Sequence, residues 1–186
     1  MLKKKTIISK DYIYKIYQKY SNELLSLTKK IRNRYEIINK KYRATFSDFE
    51  GEILYCLIRD RKPETFYEIS PDCGYSSIYI TSAFKKNNLG RILSFEIESY
   101  KFSQKTEEVI KKNLEGFNYK NHDIIIGDVT KTHKIHNNPD MVLIDSCHEK
   151  WFAKWYLKEL FPKIKDLIFL QDIVFFDRME YSGEAE

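Results

Sequence analysis

Between residues 65 and 172 the chain repeats one unit: a short apolar run, a carboxylate at its end, then an amphipathic stretch. The runs cover 65–69, 91–97, 123–126, 141–144 and 166–171, and the carboxylates at or just past their ends are Glu68, Glu96, Asp128, Asp145 and Asp172. Runs this short, separated by helical lengths, read as parallel strands joined by crossover helices. Ile124, Ile125 and Ile126, and the run from Met141 to Ile144, are apolar at every position, as strands buried on both faces require. In such a sheet all strand C-termini share one edge, where ligands bind. The five carboxylates are therefore expected to line one pocket.

The first unit says most about the ligand. From Phe66 to Ile80 the chain reads as a strand, a tight polar turn around Gly74 and the start of a helix, and the next strand carries Glu96. A turn of this kind brings backbone N–H groups close to a ligand, and an acidic residue on the second strand accepts from ribose hydroxyls. The pattern fits an adenosine-containing ligand. It departs from the usual one in having a single glycine, with Ser70 and Asp72 where further glycines are common.

The region before residue 47 differs. It carries 13 Lys and Arg against 3 Asp and Glu, while the remainder carries 19 against 24. A basic helical extension, 1–46, thus precedes a mildly acidic α/β domain, 47–186. Apolar residues recur at three- and four-residue steps over 11–42, which predicts one long helix. Its lysines and interleaved tyrosines fit either an RNA, DNA or anionic surface or a solvated face docked on the acidic body; nucleic acid is the less favoured partner. Ser47 and Glu50 form a capping box for a second helix that Pro63 ends. Helices are also predicted over 76–86, 99–114 and 151–162, and a loop over 130–139. No apolar run is long enough to span a membrane. Cys56, Cys73 and Cys147 lack CxxC spacing, which fits free thiols and a cytoplasmic location.

From about residue 46 to 177 these motifs together resemble a class I S-adenosylmethionine-dependent methyltransferase of the small-molecule O-methyltransferase kind. They are the turn 68–77, the acidic second strand at Glu96, Ile126-Gly127-Asp128, the segment from Leu143 to His148, and Phe169-Leu170-Gln171-Asp172. The resemblance implies a Rossmann-like, doubly wound, mostly parallel sheet of about five strands, without the two further strands such sheets carry. It implies that Glu68, Ser70, Asp72 and Gly74 surround the methionine end of the cofactor, Glu96 holds the ribose, Asp128 meets the adenine amino group and Asp145 lies beneath the reactive methyl. It further implies Asp145 and His148 as catalytic groups, with Asp145 and Asp172 as ligands for a divalent cation such as Mg²⁺.

The chemistry suits those residue types. A sulfonium methyl is already an electrophile, so the protein must align an acceptor oxygen and remove its proton. A histidine ordinarily titrates near neutrality and can act as base. A cation on two carboxylates can instead acidify the acceptor. The expected substrate is a hydroxylated small molecule, such as a sugar. The other readings are a degenerate fold acting as a binding or assembly module, an RNA-directed methyltransferase using the basic extension, and a thiol or zinc site at Cys73, Cys147 and His148. An uncovered fifth strand predicts a homodimer.

Overall fold

The computed structural model describes residues 8–42, 46–172, 174–175 and 180–181. The Lys-rich first residues, the 43–45 junction and the end of the predicted domain lie outside them. Strands β1 (Thr65–Ile69), β2 (Arg91–Glu96), β3 (His122–Ile126), β4 (Met141–Ile144) and β5 (Leu167–Leu170) form one all-parallel sheet in the order β3-β2-β1-β4-β5. The chain winds outward from β1 to β3, then returns to place β4 on the other side of β1. That reversal opens a crevice at the C-terminal edge.

Side chains alternate between the two faces of the sheet. Phe66, Ile92, Met141 and Leu143 join the core beneath helices α1 (Lys10–Tyr42), α2 (Asp48–Arg61), α3 (Tyr75–Asn87) and α4 (Thr106–Asn113). Tyr67, Ile69, Leu93, Phe95, Val142 and Ile144 join the opposite core, covered by α6 (Lys150–Trp155) and the residues after it. The period of two puts Glu68, Ser94, Glu96, Asp145 and Gln171 on the α2–α3 face, which decides what they can meet.

The long first helix is part of this core. Ile16, Tyr20, Leu24, Ile31 and Ile38 make its buried stripe. Several of its basic residues serve the fold: Lys19 Nζ lies 2.6 Å from Asp60, Arg34 Nε donates to Asn113 O at 3.0 Å, and Arg32 lies 3.8 Å from Asp48. Glu23 pairs with Arg59 at 2.9 Å. The predicted capping box of α2 forms: Ser47 Oγ accepts from Glu50 N at 3.3 Å, and Glu50 Oε2 accepts from Ser47 N at 3.0 Å. Gly51 lets α2 lie so close to α3 that any added Cβ would enter the Tyr79 ring.

Two predicted helices come out shorter. The one expected over 99–114 starts only at Thr106, because Thr106 Oγ1 accepts from Ser99 N at 2.8 Å and Glu98 from Thr106 N at 3.0 Å, pinning an irregular loop. The one expected over 151–162 runs as α-helix to Trp155, then widens to a π turn at Tyr156–Leu160. Pro162 has no N–H to bond back to Lys158, so the regular ladder cannot continue. The predicted loop 130–139 contains a short helix α5 (Val129–Thr132) and a 3₁₀ turn at His133–Ile135. Beyond the sheet, β6 (Val174–Phe175) and β7 (Glu180–Tyr181) pair with each other and do not extend it. No helix among the described residues is long and apolar enough to cross a membrane.

Candidate active site

The turn after β1 has an unusual backbone. Ser70, Asp72 and Gly74 all take positive φ, at 67°, 48° and 87°. Only the glycine is at ease there; a non-glycine residue costs on the order of 1–3 kcal/mol, less for Asp, whose short side chain tolerates it. Hydrogen bonds hold the shape. Ser70 N donates to Phe95 O at 2.9 Å, Gly74 N to Pro71 O at 2.7 Å, and Asp72 N to Glu96 Oε2 at 2.7 Å. Glu96 Oε1 accepts from Ile97 N at 2.9 Å. Burial lifts the Glu96 carboxyl above the usual range, and these two backbone donors partly offset it.

Glu68 sits deeper than its expected role requires. It is fully buried beneath the turn and accepts from Ser76 Oγ at 2.7 Å, Ser77 Oγ at 2.7 Å and Ser94 Oγ at 2.5 Å. Burial pushes its carboxyl upward, and the three hydroxyls pull it back. Ser94 Oγ also meets His122 Nε2 at 2.8 Å, where burial lowers the imidazole to about 4 and keeps it neutral. Glu68 anchors the turn to the start of α3 and does not line the cavity above. Asp72 and Gly74 likewise shape the turn through their backbone.

Above the turn lies a cavity of 410 Å³, within the size range of small-molecule sites. Ser70, Glu96, Ile97, Asp128, Trp151 and Phe152 are among its walls. Ile97 and Trp151 are 61% and 58% exposed, apolar lips that a planar ring can cover. Asp128 caps α5, accepting from Thr130 N at 2.9 Å and Thr130 Oγ1 at 2.7 Å, and lies 3.3 Å from Lys131. Those donors hold its carboxyl below the usual range. A larger groove of 610 Å³ runs along α1 past Tyr17, Thr28 and Arg32. None of the strand-end carboxylates lines it, and only Glu36 and Glu52 bring carboxylates to it.

Ser146 and Cys147 also line the cavity, and the residues flanking them form a second cluster. One ligand atom each of Asp145, His148 and Asp172 lie within 4.8 Å of one another, with His148 Nε2 4.0 Å from Asp172 Oδ2. The sequence-derived catalytic and metal residues therefore converge. Asp145 N donates to Ile69 O at 3.2 Å, which fixes the loop beside the glycine turn. Its carboxyl is pushed up to about 7, first by burial and then by Asp172, with Glu50 and Glu68 adding and His148 opposing. Two carboxylates and an imidazole are a reasonable donor set for a divalent cation. Neither cysteine belongs to this cluster. Cys73 is buried, and burial pushes its thiol up to about 12, which disarms it as a nucleophile.

Sequence reasoning missed Ile97, Trp151 and Phe152 as cavity walls, and Gln171 and Glu50 as neighbours of Asp145. The signal for the last pair was present: Gln171 precedes Asp172 at a strand end, so it shares the face of Asp145, toward which α2 projects Glu50.

A family model described as a methyltransferase domain matches residues 68–172. No curated protein matches the chain. Solved structures with the same fold include the SAH-bound methyltransferase PaMTH1 of Podospora anserina, at 17% identity and TM-score 0.59 over 92% of this chain and 74% of that one. An O-methyltransferase from Bacillus cereus in complex with SAH aligns at 18% identity and TM-score 0.61, over 91% and 79%. The O-methyltransferase TomG of Streptomyces achromogenes, involved in tomaymycin synthesis and solved with SAM, aligns at 21% and 0.53, over 71% of this chain and only 59% of its own length. At such identities the likeness is one of fold.

Proposed function

Since the chain belongs to the methyltransferase-domain family, we propose that it transfers the methyl group of S-adenosylmethionine to a hydroxyl oxygen of a small molecule such as a sugar. The observation that carries this reading is the junction of two sites at one sheet edge: the cavity at Glu96 and the Asp145–His148–Asp172 cluster share the Ser146–Cys147 wall.

The residues of the cavity fit the cofactor. Glu96 uses two backbone N–H groups to fix its carboxylate and keeps lone pairs for ribose hydroxyls. Ile97, Trp151 and Phe152 offer apolar surface to a purine, and Asp128 offers an acceptor to an exocyclic amine. Bound S-adenosylmethionine supplies a sulfonium methyl, an electrophile that needs no further activation.

The chain's own task is then to orient the acceptor and take its proton. His148, 4.0 Å from Asp172, serves as base, and the Asp172 carboxylate steadies the imidazolium that forms. Asp145 orients the acceptor hydroxyl. The same three residues would hold a divalent cation, which supplies Lewis-acid stabilisation of an alkoxide when bound. The basic extension favours an RNA substrate less than its charge implies, since Lys19, Arg32 and Arg34 are engaged within the fold.

Calorimetric titration with S-adenosylmethionine tests this reading. Saturable binding that is lost in Glu96→Ala is expected. Absence of binding at millimolar cofactor would leave the binding-module reading in its place.

A further inference from the structure

Helix α3 begins at the turn below the cofactor cavity and ends, about 18 Å further on, at Lys85 and Lys86. There a cavity of 260 Å³ opens between α1, α2, α3 and the loop after α4. Its walls include Glu23, Lys30, Tyr55, Ser82, Lys85 and Lys86, and none of the strand-end carboxylates. Glu23 is the one acidic wall residue among those described, and the chain already satisfies it. It accepts from Arg59 Nε at 2.9 Å, Arg59 Nη2 at 3.0 Å and Tyr55 Oη at 2.7 Å. Arg59 therefore cancels its charge.

The three lysines are left over. All are exposed, and none forms an ion pair among the described residues. Lys85 and Lys86 lie in the last turn of α3, where the helix end carries about half a negative charge. Lys30 comes from the middle of α1 and has no such duty. The cavity is therefore strongly positive. Its floor also holds an unused donor. Ser82 is 7% exposed. Its neighbour Thr81 donates to Ser77 O at 2.7 Å, but the Ser82 hydroxyl makes no hydrogen bond among the described residues. A buried hydroxyl without a partner is costly, and this one belongs to a cavity wall, where a ligand oxygen can accept from it. Half-buried Leu27 and Phe117 add an apolar wall. Gly116, beside Phe117, has nothing within 4 Å of where a Cβ would stand, so the loop leaves open space there.

We propose that this cavity is a second ligand site, one that binds the phosphate monoester group of a small organic molecule. Lys30, Lys85 and Lys86 attract the phosphate as point charges, Ser82 donates to one of its oxygens, and the organic part rests on Leu27 and Phe117. The volume falls below that of drug-sized sites, which suits a phosphate with a short apolar substituent. The site is independent of methyl transfer and stands whether or not that reading does. Its ligand would tie three helices and a loop together, so binding should stabilise the fold.

The test is calorimetry on the full chain in Tris buffer at low salt, where screening is weak. The probes are phenyl phosphate, inorganic phosphate and benzyl alcohol. Phenyl phosphate is expected to bind best and to raise Tm, inorganic phosphate to bind about tenfold more weakly for want of apolar contact, and benzyl alcohol not to bind at about 10 mM. Lys85→Gln combined with Lys86→Gln should weaken phenyl phosphate about tenfold or more, and Ser82→Ala about tenfold. Lys40→Gln, an exposed lysine of α1 outside the cavity, should change nothing. No binding of phenyl phosphate at about 10 mM, or affinity unmoved by the double lysine variant, would overturn the inference. So would an equal loss in Lys40→Gln, which marks adsorption to surface lysines. Full affinity in Ser82→Ala, or inorganic phosphate binding as tightly as phenyl phosphate, would overturn it as well. The variants lie outside the cofactor cavity, so S-adenosylmethionine binding is read separately and its outcome leaves this one untouched.

Discussion

The two halves of the sheet edge hold carboxylates in opposite ways. On the β2–β3 side Glu96 and Asp128 are each satisfied by the chain: Glu96 by the N–H groups of Asp72 and Ile97, Asp128 by Thr130 and Lys131. On the β4–β5 side Asp145 faces Asp172 and Glu50, and burial and repulsion raise it to about 7. The first half is built and hydrogen-bonded before any ligand arrives, although burial still raises the Glu96 carboxyl. The second keeps an electrostatic cost that a proton, a cation or a donor-bearing ligand relieves. Pre-organisation suits the cofactor half, and unrelieved charge suits the half that must take a proton.

The largest expected effect separates the halves by function. His148→Gln should lower turnover on the order of 10²–10⁴-fold, the scale of a lost general base, with cofactor affinity unchanged; steady-state kinetics beside calorimetry reads both. Turnover that survives would place the chemistry elsewhere. Next, Glu96→Ala should weaken cofactor about 100-fold, since it removes acceptors for the ribose and also frees the Asp72 N–H that holds the turn. A loss below a few-fold would break the claim that this half is the cofactor half.

Stability gives the next contrast. The folded chain keeps Asp145 protonated up to about pH 7, while the unfolded chain releases that proton at about pH 4. The folded state thus binds more protons between those values, and stability falls as pH rises through the window. Asp145→Asn should flatten this slope and raise Tm at pH 8, by about 2–4 °C per kcal/mol relieved. A thermal melt showing lower Tm for the variant would mean the carboxylate is stabilised and not strained. Mg²⁺ affinity at the same cluster should decline below about pH 7, because the metal must displace the Asp145 proton. The smallest effect belongs to Asp128→Asn, which keeps an N-cap and loses one exposed ion pair. Cofactor affinity should drop only about threefold or less.

Much of the site was legible because parallel strands must end on one edge. That single rule placed Glu96, Asp128, Asp145 and Asp172 together before any contact was known. It placed Glu68 there too, yet Glu68 belongs to the foundation. The serines that claim it, Ser76, Ser77 and Ser94, come from α3 and β2, and only the tertiary fold brings them to it. The same holds for the turn. Ser70 and Asp72 look like defects in a glycine motif when read alone. In the folded chain the Glu96 carboxylate and the Phe95 carbonyl hold that backbone, so a residue counted as a ligand contact also supports the turn. Gln171 was signalled by its place at a strand end, while Glu50 read as a helix cap, and their meeting depends on how α2 packs.

A crystal structure of the full chain grown with S-adenosylhomocysteine tests the central claim most directly. The account predicts adenosine in the cavity between Glu96 and Trp151, ribose hydroxyls on the Glu96 carboxylate, and sulfur toward Asp145. Ligand bound elsewhere, or Glu96 turned away from it, would contradict the division of the sheet edge into a cofactor half and an acceptor half.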